Sequence, residues 1–166
     1  VLWNVIKRAL HILAFMGPGG GTLRPWLHRI RGAKIGKRVW ISHFVYLDDL
    51  HPEKIFIGDN CTIGLRTSIF VHFYWGGRRP QSDARVVIEK DVFIGPHCVI
   101  LPNVTIGEGA VIRAGTVVSR NVPPHTFWGA PAGEALGIAT IPLTAEHSYA
   151  EFVGGVRLRQ KPGAPK

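Results

Sequence analysis

Cysteine is nearly missing from this chain of 166 residues, and the two that occur, Cys61 and Cys98, are too few for a disulfide framework. Neither stands in a metal-ligand spacing. Both read as small core thiols, which favours a reducing, cytoplasmic setting. No apolar run approaches the roughly 20 residues needed to cross a bilayer. Nor does a small-residue cleavage site follow the apolar start, so a signal peptide is not expected. Acid is absent from residues 1–40, which hold eight cations: Lys7, Arg8, Arg24, Arg29, Arg31, Lys34, Lys37 and Arg38. The formal net charge of +9 is therefore concentrated at one end. No stripe of base-stacking aromatics accompanies it, which argues against nucleic acid and for an anionic membrane surface.

A strict period fills the middle of the chain. From Ile88 the sequence reads IEKDVF, IGPHCV, ILPNVT, IGEGAV, IRAGTV, VSRNVP. The first place is always Ile or Val, and the fifth is small, β-branched or Cys. A period of six is neither the 3.6 of a helix nor the 2 of a half-buried strand, and units this short bury a core only by stacking. Three hexads make a triangular coil of eighteen residues, which predicts Ile88 under Ile106 and Ile94 under Ile112. Parallel pairing at about 4.8 Å between coils follows. The fifth place lies near a corner and must be slim, as Cys98, Ala110 and Thr116 are.

Val1 to Met16 reads as an amphipathic helix with Asn4, Lys7, Arg8 and His11 at helical spacing. It lies on a membrane or hides its apolar face against the solenoid or a partner subunit; the sequence leaves both open. Gly17 to Gly21 breaks the chain, and Leu23 to Arg31 is a second short basic helix ending at Gly32. Residues 1–34 thus form a basic helical segment, 35–129 the repeat domain and 130–166 an extension with one helical piece around Glu146 to Val153. Hexads open at Ile35, Ile41 and Leu47, lapse after LDDLHP, and resume at Ile57. From Tyr74 to Val87 the pattern is lost in a protruding loop, and such loops carry function more often than the scaffold does.

The strings YLDD, IGDNCTIG, VVIEKDVFIG, VILPNVTIGEGAVIRAGTVVSRNVPP and GAPA resemble the hexapeptide-repeat acyltransferases, in particular the branch of maltose and galactoside acetyltransferases and polysaccharide O-acetyltransferases. The resemblance implies an all-β, left-handed parallel β-helix with a short helical start. It also implies a homotrimer using acetyl-CoA as acyl donor in clefts between subunits. The implied reaction is acetyl transfer to a sugar hydroxyl, in polysaccharide or lipopolysaccharide biosynthesis, and the basic amphipathic start separately points to a membrane-proximal acceptor, with the protein peripheral on the inner face. In this family a histidine at the loop entry removes the acceptor proton, and here it is His72, whose imidazole suits general-base work. Asp49 resembles the accompanying carboxylate, with Asp48 the neighbouring choice; such an acid fixes the ring tautomer.

By the same resemblance Gly95, Ala114 and Gly115 line the pantetheine arm, Ser119 and Arg120 approach the nucleotide end, and Trp128 covers the adenine or plugs the prism. Asp48, Trp75, Arg78, Arg79 and Arg85 are expected to shape the acceptor site. Departures from the pattern are Phe73 for an acid, Pro96 for a Ser, Asn103 and Arg113 for glycines, Ala130 for an Asn, and Gly133 for a cation. Amino-sugar N-acetylation is the near alternative and a non-catalytic trimeric membrane scaffold the distant one. A zinc hydratase on this fold needs three gathered histidines; His43, His72 and His97 are available, but the paired histidines of that family are absent, and no metal is expected.

Overall fold

The computed structural model describes residues 2–72, 84–130, 137–142, 144 and 146–158, in two compact units divided after Ala130. In the first unit the hexads fold as the period demands. Short strands β1 (Lys34–Ile35), β2 (Trp40–Ile41) and β3 (Tyr46–Leu47) make the first coil. β4 (Ile55–Ile57), β5 (Thr62–Ile63) and β6 (Ser68–Ile69) make the second. β7 (Val86–Ile88), β8 (Phe93–Ile94) and β9 (Val99–Ile100) make the third, and β10 (Val104–Ile106), β11 (Val111–Ile112) and β12 (Val117–Val118) the fourth. β13 (Phe127–Trp128) closes the end.

Every pairing between coils is parallel, and three sheets result: β1-β4-β7-β10, β2-β5-β8-β11-β13 and β3-β6-β9-β12. Ile88 pairs with Ile106 and Ile94 with Ile112, the partners the eighteen-residue coil requires. First-place residues Ile41, Leu47, Ile63, Ile69, Ile94, Ile100 and Ile112 are fully buried. Each such side chain contributes about 1.5–3 kcal/mol of burial. Fifth-place Cys61, Cys98 and Ala110 are likewise sealed, and Thr116 nearly so. Each thiol meets a carbonyl of the next coil, Cys61 Sγ that of Glu89 at 2.9 Å and Cys98 Sγ that of Arg113 at 3.2 Å.

The fourth place is the corner. Arg38, Phe44, Asn60, Arg66, Asp91, His97, Asn103 and His125 all hold positive φ there, between 52° and 63°. A left-handed residue other than Gly or Asn costs about 1–2 kcal/mol, offset by the ladders that the turn aligns. His72 also occupies a fourth place, but at the point where the chain leaves the coil.

Insertions are visible in the register. The first and second coils are offset by 22 residues, Lys34 pairing with Phe56, because a 3-10 turn at Pro52–Lys54 intervenes. The second and third are offset by 31, Ile55 pairing with Val86, to accommodate the loop. That loop was expected to run to Val87, yet Val86 and Val87 already pair with Val104 and Thr105. Two adjacent valines, one facing in and one out, suffice to start the strand.

Helices α1 (Leu2–Met16) and α2 (Leu23–Ile30) cap the first coil, with Arg31 closing α2 one residue earlier than expected. Arg24 is buried and donates Nε to Ile41 O at 2.7 Å and Nη1 to Gly17 O at 2.8 Å. α1 lays only part of its apolar surface on the solenoid, where Phe15 meets Phe44 at 5.5 Å between ring centroids. Ala14 is buried and His11 packs its ring against Tyr46, 5.1 Å between centroids. Val5, Ile12, Leu13 and Met16 point to solvent.

The second unit holds a two-stranded antiparallel pair, β14 (Gly137–Ala139) with β15 (Val156–Leu158), not foreseen from the sequence. Its helix α3 spans Tyr149–Gly154, where Ser148 and Glu151 form a reciprocal capping box.

Candidate active site

The extra residues after β3 bring an acid under the entry of the excursion loop. Asp48 is fully buried. Its Oδ1 accepts the backbone N–H of Leu50 at 3.1 Å and of His51 at 3.0 Å, and its Oδ2 accepts that of Val71 at 3.0 Å. His72 Nδ1 lies 2.5 Å from the same Oδ2. A carboxylate offers only lone pairs, so Nδ1 carries the proton and Nε2 is left with its lone pair. The His72 side chain is 20% exposed, although its Nε2 atom is itself buried.

The carboxylate was expected to be Asp49; the contact goes to Asp48 instead. Asp49 turns towards the helices, where its Oδ1 accepts the Tyr46 hydroxyl at 2.7 Å and its Oδ2 lies 3.9 Å from Arg8 Nε. Partial burial works against its charge, but the Tyr46 hydroxyl, its own backbone N–H and the Arg8 cation hold its carboxyl below the usual range. A side-chain period of 2 explains the exchange: Leu47 points into the prism, so in an extended chain Asp48 would point out and Asp49 in. The turn after Leu47 breaks that alternation and folds Asp48 back beneath Val71.

Arg31 fixes the turn from below. It is buried, and its Nη2 donates to the carbonyls of Leu47 at 3.2 Å and Asp48 at 2.9 Å, while Nη1 meets His28 Nδ1 at 2.8 Å. Burial lowers its pKa to about 10. Burial, with the Arg31 charge behind it, also brings His11 down to about 4 and His28 well below its ordinary value. Both rings are therefore neutral at pH 7. His51 stands edge-on to His72 with centroids 6.1 Å apart and contacts Glu53 at 3.2 Å. A cavity of about 320 Å³ lined by Lys7, Arg8, Asp49, Leu50, His51 and Glu53 adjoins it.

Of the expected acceptor residues, Trp75, Arg78 and Arg79 lie outside the described residues, and Arg85 is exposed. Ala114, Gly115, Ser119 and Arg120 are exposed near the far end of the prism. Gly115 has φ 72° and open space where a Cβ would be. Gly95 differs: it is buried in the stack, and a Cβ there would lie 2.6 Å from Ala114 N. Coil packing by itself requires a glycine there. Trp128 is half-buried on the core, with the Arg120 guanidinium 5.3 Å above its ring. Arg113 donates to Ala130 O at 3.1 Å. Among the described residues no group of three His, Cys, Asp or Glu is placed to hold a metal ion.

Sequence reasoning missed Tyr46, Arg31, His28, His11 and His51. Tyr46 stands directly before LDD and was within reach; the others come from distant segments whose packing no period encodes.

Comparison with known proteins agrees with the repeat fold. Residues 85–120 match the pattern described as bacterial transferase hexapeptide (six repeats), and residues 54–72 the hexapeptide repeat of succinyl-transferase. The YvoF protein of Bacillus subtilis, whose name carries a provisional acetyltransferase assignment, is 39% identical over 108 residues, 64% of this chain and 62% of its own length. A hexapeptide-repeat acetyltransferase of Vibrio cholerae, solved with acetyl coenzyme A, is 27% identical, with a TM-score of 0.60 over 75% of this chain and 80% of that one. A maltose O-acetyltransferase of Clostridium difficile shares the fold at 20% identity, with a TM-score of 0.51 over 75% of this chain and 81% of that one. In its repeats and its three-sheet parallel β-helix, the chain is similar to the hexapeptide-repeat acetyltransferases, and it spans less than two thirds of the length of the YvoF protein.

Proposed function

We propose that this protein transfers an acetyl group from acetyl-CoA to a hydroxyl of a saccharide, with residues 35–129 as the catalytic unit of a homotrimer. The observation that carries the reading is the pairing of His72 with the sealed Asp48 carboxylate at 2.5 Å. A hydroxyl is a poor nucleophile at neutral pH. Nε2 of His72 takes its proton as the oxygen bonds to the thioester carbonyl carbon, and Asp48 supports the imidazolium that forms. When the carbon–sulfur bond breaks, the proton passes from Nε2 to the departing sulfur, giving free CoA thiol and regenerating the neutral ring.

The donor side rests on residues with suitable chemistry. Exposed Ala114 and Gly115 leave room for a slender amide chain, and Ser119 and Arg120 supply a hydroxyl and a cation for a phosphorylated end. The Vibrio cholerae relative solved with acetyl coenzyme A supports the same donor. Asp49 is read as a wall of the acceptor cavity, where Arg8 and Tyr46 engage it. Residues Trp75, Arg78, Arg79 and Arg85 of the loop are read as its other contacts.

The test is thiol release from acetyl-CoA by purified protein against a panel of sugars and lipid-linked glycans, with acetylated product identified by mass spectrometry. Release that requires one acceptor class supports the proposal. Transfer only to amino groups would replace the hydroxyl acceptor with an amino sugar.

A further inference from the structure

The first helix lays a mixed stripe on the protein: Ala14 is buried, Phe15 meets Phe44 at 5.5 Å between centroids, and His11 lies against Tyr46 and His28. Val5, Ile12, Leu13 and Met16 are 57–65% exposed, and on α2 Trp26 is 53% and Ile30 38% exposed. Two adjoining helices thus each expose apolar side chains that nothing described in the first unit covers.

Charge tells the possible covers apart. Residues 1–40 carry eight cations and no acid. Arg24 and Arg31 are buried; the other six reach solvent, Lys7 half-buried and the rest exposed. A second copy laid face to face on this layer about a twofold axis would bring the same cations against them. The C-terminal segment from residue 131 is no complement either, with three acids to four cations. An apolar face flanked by cations and carrying tryptophan is the pattern of a helix lying in a bilayer interface. No helix among the described residues is long and apolar enough to cross one.

We infer that α1 and α2 dock the protein on an anionic lipid bilayer, the apolar faces entering the headgroup boundary and the cations meeting lipid phosphates. The inference does not depend on the reaction. Its consequence for the site is direct, since Lys7 and Arg8 line the cavity that holds His51 beside His72. The docked face and the acceptor cavity share a helix.

The test is co-sedimentation of the full chain with phosphatidylcholine vesicles, with or without about one-third phosphatidylglycerol, at low and high salt. Binding is expected only to the anionic vesicles and is expected to weaken as salt screens the charges. The variant Ile12→Ser/Leu13→Ser removes two exposed side chains and should lower the partition coefficient by about tenfold or more, while its circular dichroism and thiol-release rate stay those of the parent. Failure of the parent to bind anionic vesicles overturns the inference. So does a double variant that binds vesicles as the parent does but sediments as a smaller oligomer, because a second copy would then be the cover.

Discussion

Asp48→Asn separates the role assigned to this acid from mere structural support. The substitution keeps size and shape but turns one oxygen into an NH₂ donor. Four donors converge on the carboxylate: the N–H groups of Leu50 and His51 on one oxygen, and those of Val71 and His72 on the other. Whichever way the amide is turned, it points N–H at N–H. With the NH₂ towards Val71, a buried backbone donor is orphaned, which costs about 1–3 kcal/mol. His72 then accepts through Nδ1 and carries its proton on Nε2, the tautomer that cannot remove a proton. General-base catalysis contributes about 10²–10⁴ in rate, so kcat should fall by that factor with the KM for acetyl-CoA little changed. Asp49→Asn is the matched control: the Tyr46 hydroxyl can still donate to the amide oxygen, and the donor affinity should hold. The assays are steady-state thiol release and urea unfolding on both variants. An Asp48→Asn enzyme within a fewfold of the parent, or an Asp49→Asn enzyme with the same kcat collapse as Asp48→Asn, would refute the assignment of the pair.

Further outcomes follow from the same structure. Ile94→Ala, at a fully buried first place between Ile63 and Ile112, should lower unfolding stability by about 2–5 kcal/mol in urea titration. Arg31→Met strips the Leu47 and Asp48 carbonyls of their donor; kcat should drop more than KM rises, and Arg31→Lys should restore part of it. His11 and His28 have folded pKa values below the ordinary 6.5, so the unfolded chain binds more protons as acid is added. Stability is therefore full above about pH 6.5 and is lost as pH falls towards 4, and His11→Phe should flatten that slope in denaturation measured across the window. Burial raises the thiol pKa of both Cys61 and Cys98, so neither should react with a thiol reagent until the protein unfolds.

The prism was legible because its rule is local and repeated: a first-place aliphatic, a slim fifth place and eighteen residues per coil predict Ile94 over Ile112 without any knowledge of the rest. Helix α1 was legible as a helix, but not its orientation. That depends on Tyr46 and His28, contributed by other elements, attracting its polar side. His72 was found through resemblance, and its outward fourth place agreed. Choosing between Asp48 and Asp49 needed the turn at Leu50 and His51, a single irregular feature that no repeat specifies. Gly95 carries a constraint that the resemblance did not reveal: coil stacking alone demands a glycine there, because a Cβ would lie 2.6 Å from Ala114 N.

The decisive measurement of the role of His72 is single-turnover acetyl transfer by the parent and by His72→Ala, with acetyl-CoA affinity determined on the same samples. The variant is expected to bind acetyl-CoA as the parent does and to transfer acetyl about 10²–10⁴ times more slowly. Equal transfer rates in the two proteins would contradict that role.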